Sequence, residues 1–135
     1  MCKIRATFDR FALVVTTMFM VQAALAAPQV TDVRVGVYSS KTRVVIEVSG
    51  ALDFRSFTLP KPYRVVVDMS EVTWSPKLRT SPRGGLITGM RFGLFRPGLS
   101  RVVLDSEGPV GITKAFMIPP DSPERPHRIV LDIKR

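Results

Sequence analysis

From Val30 onward, apolar and polar side chains alternate in short runs separated by turn residues. Val33, Val35 and Val37 alternate with Arg34, Gly36 and Tyr38, the period-2 signature of a half-buried strand. Three further runs, over residues 43–48, 54–59 and 64–69, carry the same signature. Between the runs lie Ser39-Ser40-Lys41, Ser49-Gly50 and Pro60-Lys61-Pro62, residues that set or tolerate turn geometry. Nothing after residue 28 sustains a 3.6-residue period, so the pattern predicts an all-β domain.

The same series is then written again. Val30-Thr31-Asp32-Val33-Arg34-Val35-Gly36-Val37-Tyr38 aligns with Ile87-Thr88-Gly89-Met90-Arg91-Phe92-Gly93-Leu94-Phe95 at an offset of 57. Arg43-Val44-Val45-Ile46-Glu47 aligns with Arg101-Val102-Val103-Leu104-Asp105 at 58, and Phe57-Thr58-Leu59-Pro60 with Phe116-Met117-Ile118-Pro119 at 59. Residues 62–69 align with 126–133 at 64. An offset that only grows is what a duplication with loop insertions produces, and the growth is expected at turns. The repeat units are residues 30–69 and 87–133, joined by a linker over 70–86. One four-stranded unit alone leaves an apolar face wet, whereas two packed face to face bury both. The expected architecture is a sandwich of two symmetrical four-stranded sheets; a closed eight-strand barrel satisfies the same pattern.

Alternation also sorts the side chains of the strongest strands. Val44, Ile46, Val65, Val67 and Met69, with Val102, Leu104, Ile129, Leu131 and Ile133, fall on the core face. The opposite face repeats Arg-x-Val-x-acid four times: Arg43/Val45/Glu47, Arg64/Val66/Asp68, Arg101/Val103/Asp105 and Arg128/Val130/Asp132. If the strands within a unit pair antiparallel, each arginine comes opposite its neighbour's acid, and such cross-strand pairs contribute about 0.2–1 kcal/mol each. The formula reads equally as a solvated, register-fixing surface and as a polar binding platform. Planar guanidinium forks beside carboxylates and valines suit ligands with sugars, amides and carboxylates.

Composition changes the picture in two places. The chain has 135 residues and one Cys and one His, which leaves no zinc cage made of its own His and Cys and no disulfide framework; no cofactor is expected. The first 26 residues read as an export leader: Lys3, Arg5 and Arg10 precede an apolar run of about 16 residues, shorter than the roughly 20 that span a bilayer. The run ends at Ala24-Leu25-Ala26, a small-x-small cleavage pattern. Cleavage there removes three positive charges, one negative charge and Cys2, so the net charge falls from +9 to +7 and no membrane span remains. An exported protein seldom meets nucleic acid, and the aromatic residues lack stacking-platform spacing. Anionic cell-wall polymer or lipid headgroups are the expected counter-charges. His127 reads as a solvated loop residue, Trp74 as the cover of an open sandwich edge. Gly84-Gly85 precedes a strand, without the helix N-terminus of a phosphate loop.

The Val-Thr-x-Val-Arg-x-Gly opening, the paired Arg-Val-Val-Ile-Glu and Arg-Val-Val-Val-Asp strands and the second Arg-Ile-Val-Leu-Asp copy resemble the AMIN domain. The resemblance runs over about residues 29–135. It implies the N-terminal localisation module of periplasmic N-acetylmuramoyl-L-alanine amidases, with related copies ahead of type IV pilus secretins. It further implies a two-sheet sandwich that binds peptidoglycan and directs cell-wall machinery to the envelope or division septum, with divisome or secretin proteins as further partners. The family's amidases carry a zinc-dependent catalytic domain after this module. These 135 residues lack the ligands for one, so no hydrolysis is expected of them. They read either as a stand-alone module or as the front of a longer amidase.

Overall fold

The computed structural model describes residues 26–135; the first 25 residues of the expected leader lie outside the described residues. Nine strands follow one another without a helix among the described residues: β1 (Gln29–Val37), β2 (Thr42–Val48), β3 (Phe54–Leu59), β4 (Arg64–Ser70), β5 (Thr73–Trp74), β6 (Ile87–Arg96), β7 (Leu99–Ser106), β8 (Gly111–Ile118) and β9 (His127–Lys134). They form two separate sheets, ordered β5-β1-β2-β9-β8 and β3-β4-β7-β6. This is the sandwich rather than the barrel, with one strand more than expected on one sheet. That strand, β5, lies in the linker and pairs parallel with Gln29 and Val30 of β1. At two residues it is too short for any periodicity to reveal.

The core is the one alternation predicts. In β2, Thr42, Val44, Ile46 and Val48 are buried and the residues between them are half-exposed. All ten of the residues expected in the core are buried, joined by Val30, Val33, Ile87 and Met90. The pairing, however, differs from the expectation that each unit forms its own sheet. Each unit is two hairpins, and the connection from β2 to β3 carries the chain across to the other sheet. The central ladders therefore join the units: β2 pairs with β9, placing Arg43 opposite Asp132 and Glu47 opposite Arg128. Likewise β4 pairs with β7, placing Arg64 opposite Asp105 and Asp68 opposite Arg101. Each arginine does meet an acid, but one from the other copy. Exchanging the two units converts β1-β2-β9-β8 into β6-β7-β4-β3, so the duplication has become a pseudo-two-fold relation between the sheets.

The growing offset also acquires a physical cause. Its first step coincides with a register shift between Leu94 and Arg96, its second with one between Ile112 and Lys114. Both are places where one strand takes an extra residue while the ladder continues. Only the last and largest step lies wholly in a loop, the proline-rich stretch at 119–126. The linker is itself packed. Val72 and Leu78 are buried, and the Trp74 ring lies 4.6 Å from that of Phe92, closing the sandwich edge as expected. Two buried hydroxyls tie its ends: Ser100 Oγ accepts from Val72 N at 3.0 Å, and Thr42 Oγ1 accepts from Leu86 N at 3.1 Å.

Candidate functional site

Strand pairing arranges the outward side chains of each sheet into three cross-strand rows. On the β3-β4-β7-β6 sheet the rows run Arg55–Asp68–Arg101–Gly93, Phe57–Val66–Val103–Arg91 and Leu59–Arg64–Asp105–Gly89. On the β8-β9-β2-β1 sheet they run Lys114–Asp132–Arg43–Gly36, Phe116–Val130–Val45–Arg34 and Ile118–Arg128–Glu47–Asp32. Position for position the two grids match, with Asp32 in place of Gly89 as the main departure. Four cations face two carboxylates on the first grid and three on the second, so both are net positive and suited to anionic ligands.

The first row of each grid is a closed ion pair. Arg43 donates to Asp132 through Nε to Oδ1 at 2.7 Å and Nη2 to Oδ2 at 3.0 Å, and Lys41 Nζ reaches Oδ2 at 3.1 Å. On the other face Arg101 donates to Asp68 through Nε at 2.6 Å and Nη2 at 2.9 Å. Both carboxylates are buried. A buried carboxylate ordinarily protonates more easily, but here the hydrogen bonds from arginine outweigh desolvation. The Arg43 fork, helped by Lys41, holds Asp132 at about 2, and Arg101 lowers Asp68 in the same sense. These four residues bridge the two central strands within each sheet and are charged at neutral pH.

Two of the expected platform residues lie on the outward face as supposed but are not exposed. Val66 and Val130 are buried although they point outward, because each lies in mid-row between an aromatic ring and a second valine. Val45 and Val103 are the valines that remain half-exposed. Of the remaining candidates, Glu47 is held by Arg34 at 2.7 Å and Asp105 by Arg91 at 2.9 Å. Arg64 turns to its own hairpin, donating to the carbonyls of Pro62 at 2.7 Å and Pro60 at 3.2 Å. His127 opens β9 opposite Val48, away from the centre of either grid.

Aromatic rings stand within and beside the grids, a feature that the Arg-x-Val-x-acid formula does not contain. Phe95 is exposed, and the Arg101 guanidinium stacks 3.7 Å from its ring centroid. Phe57 lies under Arg55 at 5.3 Å. Their partners in the duplication, Tyr38 and Phe116, are exposed on the other face, and Lys41 lies 5.7 Å from the Tyr38 centroid. The signal was available: Tyr38 aligns with Phe95 and Phe57 with Phe116, so each aromatic position is kept in both copies. Stacked guanidinium, apolar ring and carboxylate side by side can take up sugar faces, amides and anions together.

The AMIN domain family model matches residues 32–133, which spans both grids. N-acetylmuramoyl-L-alanine amidase AmiC of Neisseria meningitidis serogroup B is 29% identical over 118 residues, covering 84% of this chain and 28% of the relative. The protein of the same name from Escherichia coli O6:H1 is 37% identical over 90 residues, covering 62% of this chain and 22% of the relative. The chain thus spans about a quarter of the length of the curated relatives it matches. With the duplication, the two-sheet fold and a match over nearly all of both units, the chain belongs to the AMIN domain family.

Proposed function

We propose that this chain is a non-catalytic, periplasmic module that binds peptidoglycan through its two outer sheet faces and thereby localises cell-wall machinery to the envelope or the division septum. The observation that carries the reading is the pair of matching, net-positive grids, each with a guanidinium fork and at least one exposed aromatic ring. Such faces suit a polymer of sugars, amides and carboxylates. Because they point in opposite directions, one domain can engage two strands of the wall, and the second contact then forms at high effective concentration. A longer parent amidase is supported by the names of its relatives, and hydrolysis in such a parent would belong to a further domain.

The test is sedimentation of the purified chain with purified sacculi, in the presence and absence of other envelope proteins. Recovery in the pellet with sacculi alone supports direct wall binding. Recovery only after envelope proteins are added would overturn it in favour of docking on a secretin or division complex.

A further inference from the structure

The third row of each grid holds an arginine that its own sheet does not neutralise. Seven arginines point outward from the two grids. Five of them, Arg34, Arg43, Arg55, Arg91 and Arg101, have a carboxylate within 4.0 Å among the described residues. The two that have none are Arg64 and Arg128, which are each other's counterparts in the duplication. The cause is visible in the pairing. Glu47 and Asp105 lie directly opposite them in register, but both carboxylates are turned to the arginine on the far side.

What each arginine has instead is incomplete. Arg64 Nη1 is fixed by two backbone carbonyls, which orient the guanidinium and cancel none of its charge. Arg128 Nε is buried without an acceptor, the one such buried side-chain nitrogen or oxygen among the described residues. A buried donor left unpaired is costly, and a charged one more so. A carboxylate arriving from outside the domain meets the uncompensated charge of either guanidinium, while a neutral hydroxyl leaves the charge unmet.

We propose that Arg64 and Arg128 are the points at which the two faces receive a free carboxylate of peptidoglycan. This rests on the wall-binding reading above and narrows it from the polymer to one of its chemical groups. A carboxylate is favoured because the first row of each grid already seats one in an arginine fork, four residues along the same strand. Two sources present that group: the stem peptides, and the lactyl group of muramic acid once its peptide has been removed.

The experiment measures binding of the purified chain to soluble wall fragments at fixed ionic strength. The probes are a disaccharide-peptide with free carboxylates, the same fragment with its carboxylates converted to carboxamides, and the peptide-free disaccharide with a free lactyl carboxylate. A free-carboxylate probe should bind about tenfold more tightly than the carboxamide form, equivalent to about 1.4 kcal/mol. Tighter binding of the disaccharide-peptide places the source in the peptide; tighter binding of the peptide-free disaccharide places it in the lactyl group. The variant R64Q/R128Q, confirmed as folded by its thermal unfolding, should lose that discrimination. R64K/R128K, which keeps the charge but not the fork, should retain part of it. If neither free-carboxylate probe binds the unaltered chain more tightly than the carboxamide form, the inference is overturned, whether or not the variants fold. Failure of the unaltered chain to sediment with intact sacculi would overturn the wall-binding reading itself.

Discussion

Replacing Asp132 by asparagine keeps the shape of a buried side chain and removes only its charge, which makes D132N a direct probe of the first-row ion pair. Its magnitude follows from the structure. The carboxyl is lowered from 3.8 to about 2 by the Arg43 fork and by Lys41, and each unit is worth about 1.4 kcal/mol. The ionised form thus contributes about 2 kcal/mol, and the amide, which resembles the protonated acid, should forfeit that amount at pH 7. Orphaning a fully buried partner costs about 3–5 kcal/mol. Here Arg43 and Lys41 are 32% and 26% exposed, so water recovers part of the loss. The pH dependence has a definite sign. Because the folded state lowers this pKa, the stabilisation is complete above about pH 4 and disappears as pH falls through about 2. Urea unfolding of both proteins, followed by the fluorescence of the single tryptophan, Trp74, reads the difference at each pH. A gap of about 2 kcal/mol at pH 7 that closes toward pH 2 is expected. A gap below about 0.5 kcal/mol at pH 7, the range of ordinary surface changes, or one that stays constant down to pH 2, would refute the reasoning. D105N, at a pair whose arginine is 64% exposed, should cost less than about 1 kcal/mol.

Two further substitutions test how the linker is held. Ser100→Ala leaves the buried Val72 N–H without its acceptor and should cost about 1–3 kcal/mol in the same urea assay; an unchanged midpoint would show that Val72 finds another partner. Gly85 has a φ of +52°, and a Cβ there would collide with Thr42 Oγ1. Gly85→Ala should therefore exceed the roughly 1–2 kcal/mol of left-handed backbone strain alone, as measured by thermal unfolding, whereas a neutral result would mean that the linker shifts freely.

Much of the fold was legible because burial follows alternation where strands have one wet face. Thr42, Val44, Ile46 and Val48 obey it throughout β2. The ladder partners were not legible, because the duplication made β4 and β9 interchangeable. Arg43 finds an aspartate in the same place of the formula on either strand, at Asp68 or at Asp132. The choice is made by the chain path: the short turns after β1 and β3 close local hairpins, and residues 49–53 then cross between sheets. Alternation likewise placed Val66 and Val130 outward, correctly in direction, but burial at mid-row depends on the aromatic ring and the valine on either side, which the alternation of a single strand does not contain. The charges of the candidate faces were therefore visible in the sequence. Their division into closed pairs at Asp68 and Asp132 and uncompensated cations at Arg64 and Arg128 required the cross-unit register.

The wall-binding role of the two faces is tested most directly by sedimentation with sacculi after disabling one face, the other, or both. The positions used lie at the edge strand of each grid and leave both bidentate forks in place: Arg55, whose contact with Asp68 is a longer 3.7 Å, and Phe57 on one face, Lys114 and Phe116 on the other, each pair changed to serine and each protein shown to be folded by its unfolding curve. Either single-face variant should retain reduced binding through its intact face, and the four-residue variant should stay in the supernatant. If the folded four-residue variant sediments with sacculi as fully as the unaltered chain, the outer faces are not the binding surface.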